Sequence, residues 1–210
     1  MRVTEIFFSI QGEGTRAGRP CVFVRFTGCD LRCGYCDTAY AFHGGTDMTR
    51  DEIVAAVARH PSRFVLLTGG EPMLQKELPE LAEELVGRRY EVAVETHGKR
   101  PLDALPPSVI RIVDVKTPGS GEVTTEFGYL ERLMPHDEVR FVVCSEDDFR
   151  WSEAVVRRHR LEQRAHVLFS PAWGQVDAKD LARWLLASGL DARLSLQIHK
   201  VLWGADARGV

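Results

Sequence analysis

Short apolar runs bounded by turn residues recur along the chain, and each predicts a buried strand: Cys21–Phe26, Phe64–Thr68, Val92–Glu95, Ile110–Val115, Val139–Val143, His166–Phe169 and Leu194–Ile198. Ahead of them Met1-Arg2-Val3-Thr4-Glu5 leads into an alternating, strand-like run. Helical patterns fill several gaps. Thr49 and Glu52 form a capping box ahead of Ile53, Val54, Val57 and Ala58, and Pro79 is a first-turn proline among Leu78, Leu81 and Leu85. Glu146–Leu161 and Asp177–Ser188 read as further helices, the second with Leu181, Trp184 and Leu185 on one face. Strand alternating with helix implies parallel strands. The expected fold is therefore α/β, a partial, trimmed (β/α)6-type barrel, because 210 residues suffice for one domain spanning 1–210 but fall short of the roughly 250 of a complete eightfold barrel.

In such folds the chemistry gathers at the carboxyl ends of the strands. The unusual residues of this chain fall there. Gly28-Cys29 follows the first predicted strand, Gly69-Gly70-Glu71-Pro72 the second, Glu95-Thr96-His97-Gly98 the third and Asp114-Val115-Lys116-Thr117-Pro118 the fourth. Ser170-Pro171 and Gln197-Ile198-His199-Lys200 close the last two. Pro118–Glu126 reads as a mobile loop, and no repeat, low-complexity tract or linker interrupts the pattern.

The charge balance narrows the partners. With 27 Lys and Arg against 30 Asp and Glu, the formal charge of -3 gives no positive field for nucleic acid, so a small substrate is the better expectation. No apolar stretch approaches the ~20 residues of a membrane span, and no leader pattern is visible, so a cytoplasmic protein without a membrane partner is expected.

Five cysteines, with Cys29, Cys33 and Cys36 crowded together, suit a metal site better than a disulfide framework; Cys21 and Cys144 stand apart as ordinary buried thiols. A four-iron, four-sulfur cube normally takes four thiolates, so three leave one iron open for catalysis. The Cys-x3-Cys-x2-Cys spacing and Gly69-Gly70-Glu71-Pro72 resemble the radical S-adenosylmethionine superfamily. That resemblance implies a 4Fe-4S cluster whose open iron is chelated by the methionine moiety of S-adenosyl-L-methionine, and reductive cleavage to a 5'-deoxyadenosyl radical. It also places Tyr35 near the adenine, and Gly70 and Glu71 at the ligand's ammonium. Glu95, Thr96, Lys116, Ser170 and Ala172 are further contacts for its ribose, carboxylate and adenine, with a buried-network role the alternative for each.

Upstream, Ile6-Phe7-Phe8-Ser9-Ile10-Gln11-Gly12-Glu13-Gly14, Gly18-Arg19-Pro20 and Val24-Arg25-Phe26-Thr27-Gly28-Cys29 extend the likeness. Together with Cys36-Asp37-Thr38, Thr68-Gly69-Gly70-Glu71-Pro72, Val94-Glu95-Thr96-His97-Gly98 and the terminal Gln197-Ile198-His199-Lys200, they make the chain similar to the 7-carboxy-7-deazaguanine synthase family over essentially its whole length. The resemblance implies a ring contraction, in which 6-carboxy-5,6,7,8-tetrahydropterin becomes 7-carboxy-7-deazaguanine with loss of ammonia, on the route to queuosine and other 7-deazapurines. A pterin presents a flat edge of donors and acceptors and one carboxylate. Glu13 would accept from its N–H groups, with Gln11 and the backbone of Ile10, Gly12 and Gly14 along the edge. Arg25 would grip the carboxylate bidentately. His199 would meet the opposite side, with Thr68 and Gln197 completing the set. The resemblance further implies Mg2+ at Asp37 and Thr38, a flavodoxin or ferredoxin reductant, and a homodimer. The chain keeps the plain, short cluster loop and continues past His199 through Val201–Val210, a tail whose approach to the substrate is left open.

Three rivals stand beside this reading. A zinc knuckle would complete the cysteines with His43 or Asp37, but would leave the rim motifs unexplained. A ferredoxin-like electron carrier would use the cluster without cleaving S-adenosylmethionine. An activase of glycyl-radical enzymes shares the cysteine spacing, but has no need of Gln11-Gly12-Glu13 or Gln197-x-His199.

Overall fold

A computed structural model describes residues 1–210. Nine strands form one sheet in the order β3-β1-β2-β4-β5-β6-β7-β8-β9. They are β1 (Arg2–Ile10), β2 (Pro20–Phe26), β3 (Thr46–Asp47), β4 (Phe64–Gly69), β5 (Glu91–Thr96), β6 (Ile110–Asp114), β7 (Glu138–Val143), β8 (His166–Pro171) and β9 (Arg193–Leu194). From β2 through β9 every neighbouring pair is parallel, as expected. The amino-terminal run is antiparallel to β2 and adds a hairpin at one edge, with β3 beyond it.

The parallel strands are apolar on both faces because both faces are covered. Val22, Val24 and Phe26, Val65 and Leu67, Val92 and Val94, and Val139, Phe141 and Val143 belong to the main core. That core packs beneath α1 (Arg50–Ala58), α2 (Leu78–Gly87), α3 (Glu146–His159) and α4 (Ala178–Ser188). The alternate positions face inward. Near the amino ends they are apolar, with Phe23, Phe64, Leu66, Ala93, Ile110 and Ile112 forming a second cluster. Two residues further along the same strands they become Arg25, Thr68, Glu95 and Asp114, and Arg140 of β7 stands in register with Asp114, so strand register aligns a row of polar groups on the inner rim.

The helix boundaries follow local chemistry. The Thr49–Glu52 capping box forms at α1 and Pro79 lies in the first turn of α2. Ser145 caps α3, which stops at His159 rather than Leu161 because Arg160 turns left-handed at φ 50°. Asp177 caps α4 instead of lying within it. No α-helix separates β5 from β6 or β6 from β7, so the barrel is trimmed there.

Two expectations need correction. Leu194–Ile198 is not a strand: β9 ends at Leu194, and α5 (Ile198–Trp203) carries His199 and Lys200. The alternating Leu194, Leu196 and Ile198 imitate strand periodicity, but Leu194 and Leu196 are exposed and find no further partner strand. Pro118–Glu126 is not free either. Asp148 accepts from Thr117 Oγ1 at 2.9 Å and Gly119 N at 2.8 Å, and Lys116 N donates to Thr124 Oγ1 at 3.0 Å. No helix is long and apolar enough to cross a membrane.

Candidate active site

One cavity of about 510 Å³ opens at the carboxyl ends of the strands, a volume in the range of small-molecule sites. Cys29, Cys33 and Cys36 line it, half-buried and free of disulfides. The backbone holds their loop: Cys36 N donates to Cys33 O at 3.1 Å and Gly34 N to Ser120 O at 2.9 Å. Leu31 N also donates to Cys29 Sγ at 3.4 Å. Burial pushes the Cys29 and Cys33 thiols up, and the charges of neighbouring thiols add to the rise, so all three sulfurs share one electrostatic neighbourhood.

No three His, Cys, Asp or Glu side chains converge as around a single ion. A cubic cluster binds each thiolate at a different iron, so it does not require the three sulfurs to converge on one point. His43 is exposed and outside the cavity, which removes the imidazole from the zinc reading. Cys21 is fully buried and inert, its thiol pushed up to about 12 by burial. Cys144 is half-buried and outside the cavity, yet less isolated than its sequence position implies, since it contributes to the electrostatics of Tyr35.

Beside the thiols, the Gly70 backbone runs against the cluster loop. A Cβ at Gly70 would overlap the Gly28 carbonyl and Cys29, and Glu71 N donates to Gly28 O at 2.8 Å, so only glycine permits this approach. Tyr35 Oη and Ser170 Oγ are buried in the cavity wall with no partner, two donors free for a ligand. Thr96, Lys116 and Ala172 also line the cavity. Lys116 donates to Asp114 at 3.0 Å and stands 5.8 Å from the centre of the Tyr35 ring.

Glu71 departs from expectation. Its carboxylate is fully buried, does not line the cavity, and accepts from Met73 N at 2.9 Å, Thr96 Oγ1 at 2.8 Å and His97 N at 2.9 Å. With both oxygens engaged, it organises the loop.

The far end brings together residues remote in sequence. Ile198 N donates to Gly12 O at 3.0 Å, Gln197 Nε2 to Glu13 Oε1 at 2.7 Å, and Ser195 Oγ accepts from Gly14 N at 3.0 Å. The His199 ring sits so close to Gly12 that any side chain there would collide with it. Burial holds the imidazole below its usual range, which keeps it neutral near pH 7. Arg25 lies across the floor. Its Nε donates to Glu5 at 2.7 Å, and Tyr40 Oη donates to the same oxygen at 2.7 Å. This orients the guanidinium of a residue that lines the cavity. Ile10, Gln11 and Thr68 complete the lining; Gly14 lies just outside it.

Arg140 was not anticipated. Its guanidinium, almost wholly buried, reaches Asp114 at 2.6 Å and also pairs with Glu13 and Glu95. One cation thus links the Gly12–Gly14 loop to β5 and β6. Thr68 Oγ1 donates to Glu95 at 3.0 Å, and burial next to Asp114 raises the Glu95 carboxyl to about 7. Asp37 meets another unanticipated cation, buried Lys200, at 2.7 Å, and accepts from Thr38 Oγ1 at 2.9 Å. Burial pushes the Asp37 carboxyl up, but Lys200 outweighs it and holds the group below its usual range. The tail Ala205–Val210 lies along the cavity, with Arg208 stacked 4.3 Å from the Tyr40 ring centre.

Comparison with known proteins agrees with this geometry. Residues 23–114 match the model of the Radical SAM superfamily. The chain is 44% identical over 226 residues to the 7-carboxy-7-deazaguanine synthase of Koribacter versatilis (strain Ellin345), covering 100% of both chains. It is 41% identical to the synthase of that name from Chlorobaculum tepidum, covering 100% of this chain and 97% of that one. The crystal structure of QueE from Escherichia coli superposes with a TM-score of 0.77 at 23% identity, over 93% of each chain, a likeness of fold.

Proposed function

The chain belongs to the 7-carboxy-7-deazaguanine synthase family, and from that premise we propose how its cavity converts 6-carboxy-5,6,7,8-tetrahydropterin into 7-carboxy-7-deazaguanine with loss of ammonia. It is a radical S-adenosylmethionine enzyme with a 4Fe-4S cluster. The observation that carries the residue assignment is the shared cavity, with three free thiols at one end and a guanidinium and carboxylate at the other. Cys29, Cys33 and Cys36 hold the cluster, which when bound supplies the electron that cleaves S-adenosylmethionine. The Gly70 backbone receives the ammonium of that molecule, and Tyr35, Ser170, Glu95, Thr96 and Lys116 surround its nucleoside and carboxylate.

The pterin lies over Phe7, Phe23 and Leu66, which exclude water beneath its ring. Glu13 uses two of its roughly four acceptor sites on Arg140 and Gln197, leaving capacity for the pterin N–H edge. Gln11, Thr68 and the Ile10–Gly14 backbone line that edge, and neutral His199 meets the other side. Asp37 and Thr38 supply oxygen donors suited to Mg2+, which would neutralise and orient the substrate carboxylate. In this reading residues 1–210 form a single catalytic unit in the cytoplasm. It works as a homodimer, with a flavodoxin or ferredoxin as reductant.

Arg25→Lys tests the substrate assignment. Removing one partner of a desolvated charged contact costs about 2 to 5 kcal/mol, and the lower figure corresponds to roughly 30-fold. The KM for the pterin should rise about 30-fold or more, while cluster content and S-adenosylmethionine binding stay unchanged. Unaltered kinetics in both Arg25→Lys and Glu13→Gln would show these residues to be structural.

A further inference from the structure

His97 follows β5 within a rim motif, yet it does not belong to any ligand set described above. Its ring is almost entirely buried and is wedged between the two loops that meet at the thiol end. Nε2 lies 2.9 Å from Asp30 Oδ1 and 3.2 Å from Glu71 Oε2. Nδ1 accepts from Lys99 N at 3.1 Å, so that nitrogen keeps its lone pair and the hydrogen-bond network assigns the proton to Nε2. The His97 backbone N–H donates to the same Glu71 oxygen at 2.9 Å.

Both acceptors sit next to the chemistry. Asp30 follows Cys29 in sequence, and its second oxygen is held by Arg100 at 2.6 Å. Glu71 follows Gly70, whose backbone packs against Gly28 and Cys29. The Cys29 loop has no regular secondary structure to fix it, and Glu71, which lacks access to the cavity, is followed by only a single 3-10 turn at Pro72–Leu74, so its alignment is set by what it touches. We propose that His97 is a positioning residue, which joins the Cys29 loop to the Gly70–Glu71 loop and sets the alignment in which S-adenosylmethionine meets the cluster. A single imidazole that donates to one loop and packs against the other transmits displacement between them, and its fixed tautomer allows one alignment only. The proposal rests on the radical S-adenosylmethionine reading.

The test is S-adenosylmethionine binding to the reconstituted full chain, measured by equilibrium dialysis together with the EPR spectrum of the reduced cluster before and after ligand addition. Thermal unfolding of the cluster-free chain is recorded alongside. His97→Ala should weaken binding tenfold or more and alter the ligand-induced EPR change. His97→Gln, which retains a donor and an acceptor, should recover binding to within about threefold. Asp30→Ala, at an exposed position, cuts the same link without opening the core and should weaken binding about threefold or more; it decides the matter if His97→Ala does not take up a cluster. A lower melting temperature in His97→Ala with wild-type affinity and an unchanged EPR response would overturn the proposal, as would unchanged affinity in Asp30→Ala. Failure of the wild type itself to bind S-adenosylmethionine would instead contradict the family reading, and this assignment with it.

Discussion

The two ends of the cavity are built on different terms. At the thiol end the groups proposed to meet a ligand are backbone groups and orphaned hydroxyls, such as Tyr35 Oη and Ser170 Oγ. At the pterin end nearly every charge already has a partner: Glu13 on Arg140, Arg25 on Glu5, Asp37 on Lys200. The first end offers unpaired groups to ligand and cluster. The second is ordered beforehand by ion pairs, and those pairs belong to the stability of the empty fold. Substitutions should therefore differ at the two ends: removing an ion-pair cation at the pterin end costs fold stability as well as substrate contact, whereas at the thiol end the loss is of ligand alone.

The largest effect is expected at the thiol end. Alanine at Cys29, Cys33 or Cys36 should abolish the cluster's absorbance and all turnover while the melting temperature of the cluster-free chain stays close to wild type. The same substitution at Cys21 or Cys144 should leave the cluster in place, and its loss in Cys144→Ala would break the assignment of ligands.

Arg140→Met should behave in the opposite way. Removing one partner from a buried ionic network typically costs about 3 to 5 kcal/mol, and here Glu13, Glu95 and Asp114 all lose the same cation. Denaturant unfolding of the cluster-free chain measures this directly. A loss below about 1 kcal/mol would mean that the pterin end is not pre-ordered as described.

Much of this contrast was legible in the sequence. The apolar runs place the parallel strands, and the polar residues after each run mark one rim. Cysteine spacing located the thiol end because ligation depends on local separation, which sequence displays directly. The pterin end was half visible: Glu13 and Gln197 were singled out separately, but their hydrogen bond depends on how the sheet curls. Arg140 carried a signal that went unread, a charge inside the apolar run Val139–Val143, where nothing but an inward-facing partner could hold it. Lys200 was hidden by the mistaken strand at Leu194–Ile198, since helical geometry is what turns it toward Asp37. Glu71 shows the converse limit, for its sequence motif says nothing about which way the carboxylate points.

Smaller effects sharpen the comparison. Asp37→Ala should lower turnover about tenfold or more and reduce its response to Mg2+, while reductive cleavage of S-adenosylmethionine persists. Turnover indifferent to chelation would contradict the metal assignment. Glu95 gives the mildest test. Its carboxyl is raised by burial from 4.5 to about 7, so the folded state holds more protons than the unfolded one across that window. Its contribution to stability is complete below 4.5 and lost as pH rises through 7. Melting temperatures of the cluster-free chain between pH 5 and 8 should therefore fall less steeply in Glu95→Gln than in wild type, and parallel slopes would mean that Glu95 titrates normally.

The central claim is that both ends serve one reaction in one cavity, and a single anaerobic assay addresses it. The reconstituted, reduced chain is given S-adenosylmethionine, Mg2+ and 6-carboxy-5,6,7,8-tetrahydropterin, and products are followed by absorbance and mass. The account predicts multiple turnovers to 7-carboxy-7-deazaguanine with release of ammonia, dependent on all three cluster cysteines. Cleavage of S-adenosylmethionine with the pterin recovered unchanged would contradict it.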